Sequence, residues 1–223
     1  MRTEAADVNL ILGGTEVILM AERTMCFPHS KTLVLAGIHP SGVDQDHPMD
    51  EEAIHRLERA AFRASALRIV IAGELPLPNS PALEGAHDAF GVFRAQLPLP
   101  LTLVEARQTR RTRNLPPEWF VTTAREPFAL EASSTGGKRF KFESTPTEAP
   151  SERACWTIAT HVHPVLSVAV GSRRVTLPVF AVDDALQRIT LPAFSRNCRG
   201  VRMERGEGVR LFSVTDGKVF ASV

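Results

Sequence analysis

Along most of the chain, apolar residues come in short runs cut by Gly, Pro, Asn and Asp, with few stretches of helical periodicity. VNLILG (8–13) and EVILMAE (16–22) alternate or run apolar on either side of Gly13-Gly14-Thr15, the signature of a tight hairpin. KTLVLAGIH (31–39), LRIVIAGE (67–74) and LTLVEA (101–106) are continuous apolar runs, too short for helices and rich in branched side chains. Such runs predict strands buried on both faces. Between the first two lies DEEAIHRLERAAFRAS (50–65), where Asp50 suits an N-cap and Glu51 and Glu52 suit the positive end of a helix. Ile54, Leu57 and Ala61 share one face of that helix. A second helix is expected near 83–96, from Ala86, Phe90, Phe93 and Leu97 at helical spacing. Strand, helix, strand, helix, strand predicts an α/β layered domain with part of its sheet parallel.

The second half changes character. CWTIATHVHP, LSVAVG, RVTLPVFAV, RITLPAF, VRLFSV and KVFASV read as short strands, with Asp216-Gly217 as a hairpin turn between the last two. Gly171-Ser172-Arg173-Arg174 reads as a second surface hairpin turn. Residues 132–153 are rich in Ser, Thr, Gly, Pro and charge, and predict a flexible surface loop. No helix of ordinary length is expected after residue 120. One domain spanning 1–223 accommodates all of this.

Composition narrows the function only by exclusion. With 26 basic and 25 acidic side chains the chain is neither a polyanion sponge nor an acidic tail. No run approaches the ~18 apolar residues of a membrane span, and the N-terminus lacks a signal-peptide layout. Three separated cysteines (Cys26, Cys155, Cys198) make neither a disulfide framework nor a zinc module, and fit a cytoplasmic protein. Cys26 and Cys155, in apolar runs, read as core thiols.

Three places could carry chemistry. His161-Val162-His163-Pro164 follows an apolar run, and neutral imidazole is a common ligand of zinc, manganese and iron. Read alone, such a pair is more often two half-exposed histidines on an antiparallel strand than a ligand pair. His39 and Glu74 each follow a strand run and a glycine, at the strand ends that line ligand crevices in open α/β sheets, and equally fit local roles, Glu74 capping a loop and His39 hydrogen-bonding nearby. Arg107, Arg110, Arg111 and Arg113 bunch after the third strand and could clamp phosphate, although such runs are more often solvated loops. No Gly-x-Ser-x-Gly elbow is present, so a serine nucleophile has no support.

Taken in order, these segments resemble the calcineurin-like metallophosphoesterases, in particular the ligase-associated DNA damage response endonuclease branch. The likeness runs through MAERTMCFPHSKTLVLAGIH, RIVIAGELPLP, LTLVEARQTRRTRNLPPEW, WTIATHVHP and the TLPVFAV–ITLPAF tail. It implies a four-layer fold, two β-sheets packed as a sandwich flanked by helices. It also implies two metal ions bridged by a carboxylate, which activate water against a phosphodiester.

Carried over one position at a time, the implied ligand set is depleted. The first Asp of the Asp-x-His motif falls on Gly37, with its His kept as His39. The bridging Asp is Glu74, and the His after it falls on Leu77. The Asn ligand and catalytic His of the third motif fall on Arg107 and Gln108, and a further His falls near Ala132. Only His161 and His163 are intact. His39, Glu74 and His163 would suffice for one divalent ion (manganese, zinc or iron), whereas Glu74 and His161 alone would not hold a second. Gln108 cannot donate a proton as an imidazolium can, and Arg107, Arg110 and Arg111 become phosphate-binding candidates.

The expectation is therefore a metallophosphoesterase-like protein whose hydrolysis is lost or strongly reduced. Its expected ligand is DNA or another phosphodiester, and the resemblance implies association with an ATP-dependent DNA ligase and helicase repair system. Two alternatives stand beside it: an active single-metal phosphodiesterase using His39, Glu74 and His163, and a non-catalytic binding or interaction module.

Overall fold

The computed structural model describes residues 6–37, 51–73, 91, 94–106, 117–132, 139–144, 155–196, 200–204, 206, 208–215 and 217–222. The predicted opening hairpin forms from β1 (Val8–Leu12) and β2 (Thr15–Met20), paired Leu12 to Thr15. Gly13 and Gly14 turn it at φ of 56° and 82°, which glycine adopts without a Cβ penalty. β3 (Thr24–Phe27) and β4 (Thr32–Ala36) extend the meander. After α1 (Glu51–Arg63), β5 (Arg68–Ala72), β6 (Leu101–Glu105) and β7 (Val121–Arg125) join in parallel. The first sheet thus runs β1-β2-β3-β4-β5-β6-β7, antiparallel at one side and parallel at the other.

The chain then crosses at Glu126-Pro127, a cis peptide, into a second sheet. Its strands are β8 (Phe128–Leu130), β9 (Arg139–Glu143), β10 (Cys155–Ala159), β11 (Pro164–Val170), β12 (Arg173–Asp183), β13 (Arg188–Thr190), β14 (Val201–Arg202), β15 (Val209–Thr215) and β16 (Lys218–Ser222). Their order is β14-β11-β12-β13-β10-β9-β8, with β15 on β12 and β16 on β15. β9, β10 and β13 are mutually parallel neighbours. The two expected hairpin turns of this half are present: Gly171 at φ 59° joins β11 to β12, and Gly217 at φ 79° precedes β16.

Period-two alternation explains the continuous apolar runs. In β4, Leu33 and Leu35 face α1 and Phe194, while Val34 and Ala36 face the second sheet. β5 repeats this, with Ile69 and Ile71 outward and Val70 and Ala72 inward. Both faces are covered, so the residues that follow Thr32 and Arg68 in these strands are all apolar. The core between the sheets centres on Phe27, Phe140, Phe142, Trp156 and Phe180. α1 covers the first sheet with Ala53, Leu57, Ala60 and Ala61. This is the expected mixed α/β sandwich of two sheets with a flanking helix. No described helix is long and apolar enough to cross a membrane.

Two expectations need adjusting. The predicted loop 132–153 contains β9, which pairs with β8 and with β10. Phe140 and Phe142 are 0% exposed, and Phe27 meets Phe140 edge-on at a centroid distance of 4.7 Å. Burying a phenyl ring contributes about 1.5–3 kcal/mol, enough to pull a short strand from a polar stretch into the sandwich. Of the second helix, Gly91 and Arg94–Gln96 are helical, and Leu97 packs half-buried on the outer core. Ala86, Phe90 and Phe93, like Asp50, lie outside the described residues.

Buried arginines tie down the segments around the first sheet. Arg94 donates to the carbonyls of Trp119, Leu97 and Leu99 at 2.7–3.0 Å, stapling the approach to β6 onto the 3₁₀ turn before β7. Arg56 of α1 donates to the Phe194 carbonyl at 2.5 Å and stacks on the Phe194 ring at 4.6 Å.

Candidate functional site

The parallel strands of both sheets end together, and their ends are stitched into a closed circuit of hydrogen bonds. The Gly37 N–H donates to Ala72 (2.7 Å) and the Gly73 N–H to Val104 (3.0 Å). The Glu126 N–H donates to Glu105 (3.1 Å), and the Ser144 hydroxyl to the Glu126 carboxylate (2.8 Å). The circuit continues through His161 N–H to Ser144 (3.3 Å) and Leu191 N–H to Ala159 (3.0 Å). The Phe194 N–H closes it on Ala36 (3.1 Å). Two of these links join the sheets, Ser144 to Glu126 and Phe194 to Ala36. Carboxyl ends of parallel strands are where an open α/β layer presents ligand sites.

Glycine is required on this rim by geometry. Gly37 lies at φ 49° and Gly73 at φ 114°, and a Cβ on Gly73 would sit 3.4 Å from the Gly37 Cα. The backbones of β4 and β5 therefore close on each other where the chain leaves toward His39 and Glu74. Those two residues lie outside the described residues, as do Leu77, Arg107, Gln108, Arg110, Arg111 and Arg113.

His161 and His163 are described, and both lie at the rim just after β10. β10 ends at Ala159, the chain bends through His161-Val162, and His163 adopts φ 46° before β11 starts at Pro164. This bend separates the two side chains: His161 is exposed and His163 is 6% exposed. Their ring centroids stand 6.4 Å apart, inclined at 33°. Two imidazoles on one tetrahedral zinc, at about 2.0–2.1 Å per bond, would bring their centroids to about 5 Å. The observed spacing suits two separate positions better than one shared ion.

The donor chemistry fits a zinc-, manganese- or iron-class cation, since both side chains are imidazoles. The Thr160 hydroxyl beside them is buried without a hydrogen-bond partner among the described residues. Among those residues no group of three or more His, Cys, Asp or Glu side chains could hold a metal ion. A complete ligand set would have to draw on donors outside the described residues.

Of the positions where the resemblance implies a lost ligand, two are described. Gly37 carries no side chain, and Ala132 is 1% exposed within the inter-sheet core. Neither offers a donor.

Two carboxylates on the rim have no counterpart in the sequence reading. Glu105 ends β6 and Glu126 follows β7, and both are buried. A polar residue closing an apolar strand run was the available signal at Glu105, the same signal that singled out Glu74. The described rim thus carries buried acid at Glu105 and Glu126.

The class defined here is a two-sheet α/β sandwich with a histidine pair at the shared strand ends. A solved structure with this fold is the nuclease MPE of Pseudomonas putida. The two chains are 21% identical, with a TM-score of 0.77 over 97% of this chain and 100% of that one. At this identity the likeness establishes the fold alone. No family model matches the chain, and no curated protein matches it by sequence.

Proposed function

We propose that the protein is a phosphodiester-binding member of the metallophosphoesterase type, with hydrolysis lost or strongly reduced. The observation that carries this reading is the pair of donor-free positions, Gly37 on the rim and Ala132 in the core, beside an intact histidine pair. The shared fold with a protein described as a nuclease favours a nucleic-acid phosphodiester as the ligand.

In this reading His39, Glu74 and His163 hold one divalent cation, and His161 stands at the mouth. Such an ion would supply Lewis acidity and lower the pKa of a bound water to about 7. Arg107, Arg110 and Arg111 engage phosphate oxygens through bidentate hydrogen bonds, which fix orientation and charge. Arg107 then sits where the resemblance expects a neutral amide ligand. A guanidinium neutralises a phosphate but generates no hydroxide. Gln108 likewise offers hydrogen bonds but no transferable proton for the leaving group.

Elemental analysis of purified protein, with hydrolysis of an aryl phosphodiester in added manganese, tests the proposal. We expect at most one ion per chain and turnover near the uncatalysed background. Two tightly bound ions would overturn the site assignment. Robust turnover abolished by His163→Ala would favour the alternative of a working single-metal phosphodiesterase. DNA affinity should weaken with salt, and replacing Arg107, Arg110 and Arg111 together should flatten that dependence.

A further inference from the structure

The segment after β13 returns to the histidine bend and lies directly on it. The Val201 N–H is shared between the carbonyls of Val162 (3.2 Å) and His163 (3.1 Å). The Met203 N–H donates to Val165 at 2.8 Å, and β14 pairs in parallel with β11, Pro164 to Val201 and Val165 to Arg202. The approach at Gly200 is closer still. A Cβ there would overlap the His163 carbonyl oxygen and the Val165 Cγ1. The upstream end of the same segment is held by Arg56 at Phe194, next to the closing link to Ala36.

His163 needs such a hold. Its φ of 46° lies in the left-handed region, which a non-glycine residue holds only where its surroundings enforce it. Release of the Gly200–Val201 contact would let His163 relax toward negative φ and swing its imidazole away from the rim.

We infer that Gly200 and Val201 are positioning residues, a backbone strap that locks His163 in the left-handed conformation and so aims its imidazole. The consequence for cation binding rests on the function proposed above, while the aim of the ring does not. The strap acts through backbone atoms. Gly200 is needed for its missing side chain and Val201 for its N–H.

The test compares Gly200→Ala with Val201→Ala, which keeps the N–H. The readouts are imidazole ¹H–¹⁵N spectra of the metal-free protein and zinc affinity by calorimetry. We expect Gly200→Ala to move the His163 ring resonances and weaken zinc at least tenfold, with Val201→Ala like wild type. The double variant Gly200→Ala/Val165→Ala relieves the side-chain overlap but leaves the carbonyl one, so it should keep most of the defect. Full rescue by that double variant would overturn the inference. If Gly200→Ala does not fold, Val201→Pro, which removes the shared N–H, should show the same two changes. His163→Ala separates the two claims. If it leaves zinc uptake unchanged, the metal reading fails while the ring spectra still judge the strap. If it abolishes uptake but the strap variants retain wild-type spectra and affinity, the strap inference fails.

Discussion

At the scale of single residues, burial of reactive or charged groups recurs, at Cys26 where the apolar run predicts it and at Arg56 and Arg94 where nothing in the sequence does. Cys26 was expected as a core thiol, and its place in β3 bears that out. Burial, reinforced by the negative charges of Asp7 and Glu16, pushes the Cys26 thiol up to about 11 from an ordinary 9.0. Between these values the unfolded chain releases a proton that the folded chain keeps. Stability therefore falls as pH rises from about 9 toward 11. Urea midpoints should decline over that range in wild type and decline less in Cys26→Ala; equal slopes would show that folding does not raise the Cys26 thiol. Arg56 and Arg94 illustrate the converse. Both lie in helical segments, yet each is buried and donates to backbone carbonyl oxygen. Nothing in composition or spacing separates such an arginine from the solvated ones.

At the scale of elements, legibility followed how continuous the apolar signal was. β4, β5 and β6 are covered on both faces, so their runs are unbroken and their parallel pairing was readable from the intervening helix. The β1–β2 hairpin was readable because two glycines supply the positive φ that its turn requires. β9 was missed for an equally physical reason. Its RFKFE alternation spans only Arg139–Glu143, and the surrounding Ser, Gly, Pro and charge describe the flanks rather than the strand. Its inward face is two phenylalanines, while Lys141 and Glu143 pair on the outer face at 2.8 Å. Phe140→Ala should thus behave as a core truncation, costing about 3–5 kcal/mol in denaturant unfolding. Lys141→Ala should cost about 1 kcal/mol or less, since the half-buried pair still borders solvent. A Phe140→Ala cost below 1 kcal/mol would return this segment to the loop expected from its composition. The candidate site divides in the same manner. The histidine pair was visible as a motif, but the bend that exposes His161 and buries His163 depends on a strap arriving from residues 200–203.

At the scale of the molecule, the two sheets share one core and one rim, which bears on whether the chain behaves as a single cooperative unit. The inter-sheet core draws on β1 through β6 from one side and on β8, β9, β10, β12, β13, β15 and β16 from the other. The rim adds the Ser144–Glu126 and Phe194–Ala36 links across the same seam. Separating the sheets would expose Phe27, Phe140, Phe142, Trp156 and Phe180 at once, so no stable half remains after one sheet is lost. The two tryptophans report on different layers: Trp119 sits in the core beneath α1, and Trp156 in the core between the sheets. Trp119→Phe and Trp156→Phe each leave a single fluorophore. In both variants the fluorescence and far-ultraviolet circular dichroism transitions in urea should coincide. A Trp119 signal that melts in a separate, earlier step would instead divide the chain into two folding units, with α1 and the outer core detaching while the sandwich persists. The rim would then sit on a surface able to open without global unfolding, and zinc, if held at the proposed site, should shift the earlier transition more than the later one.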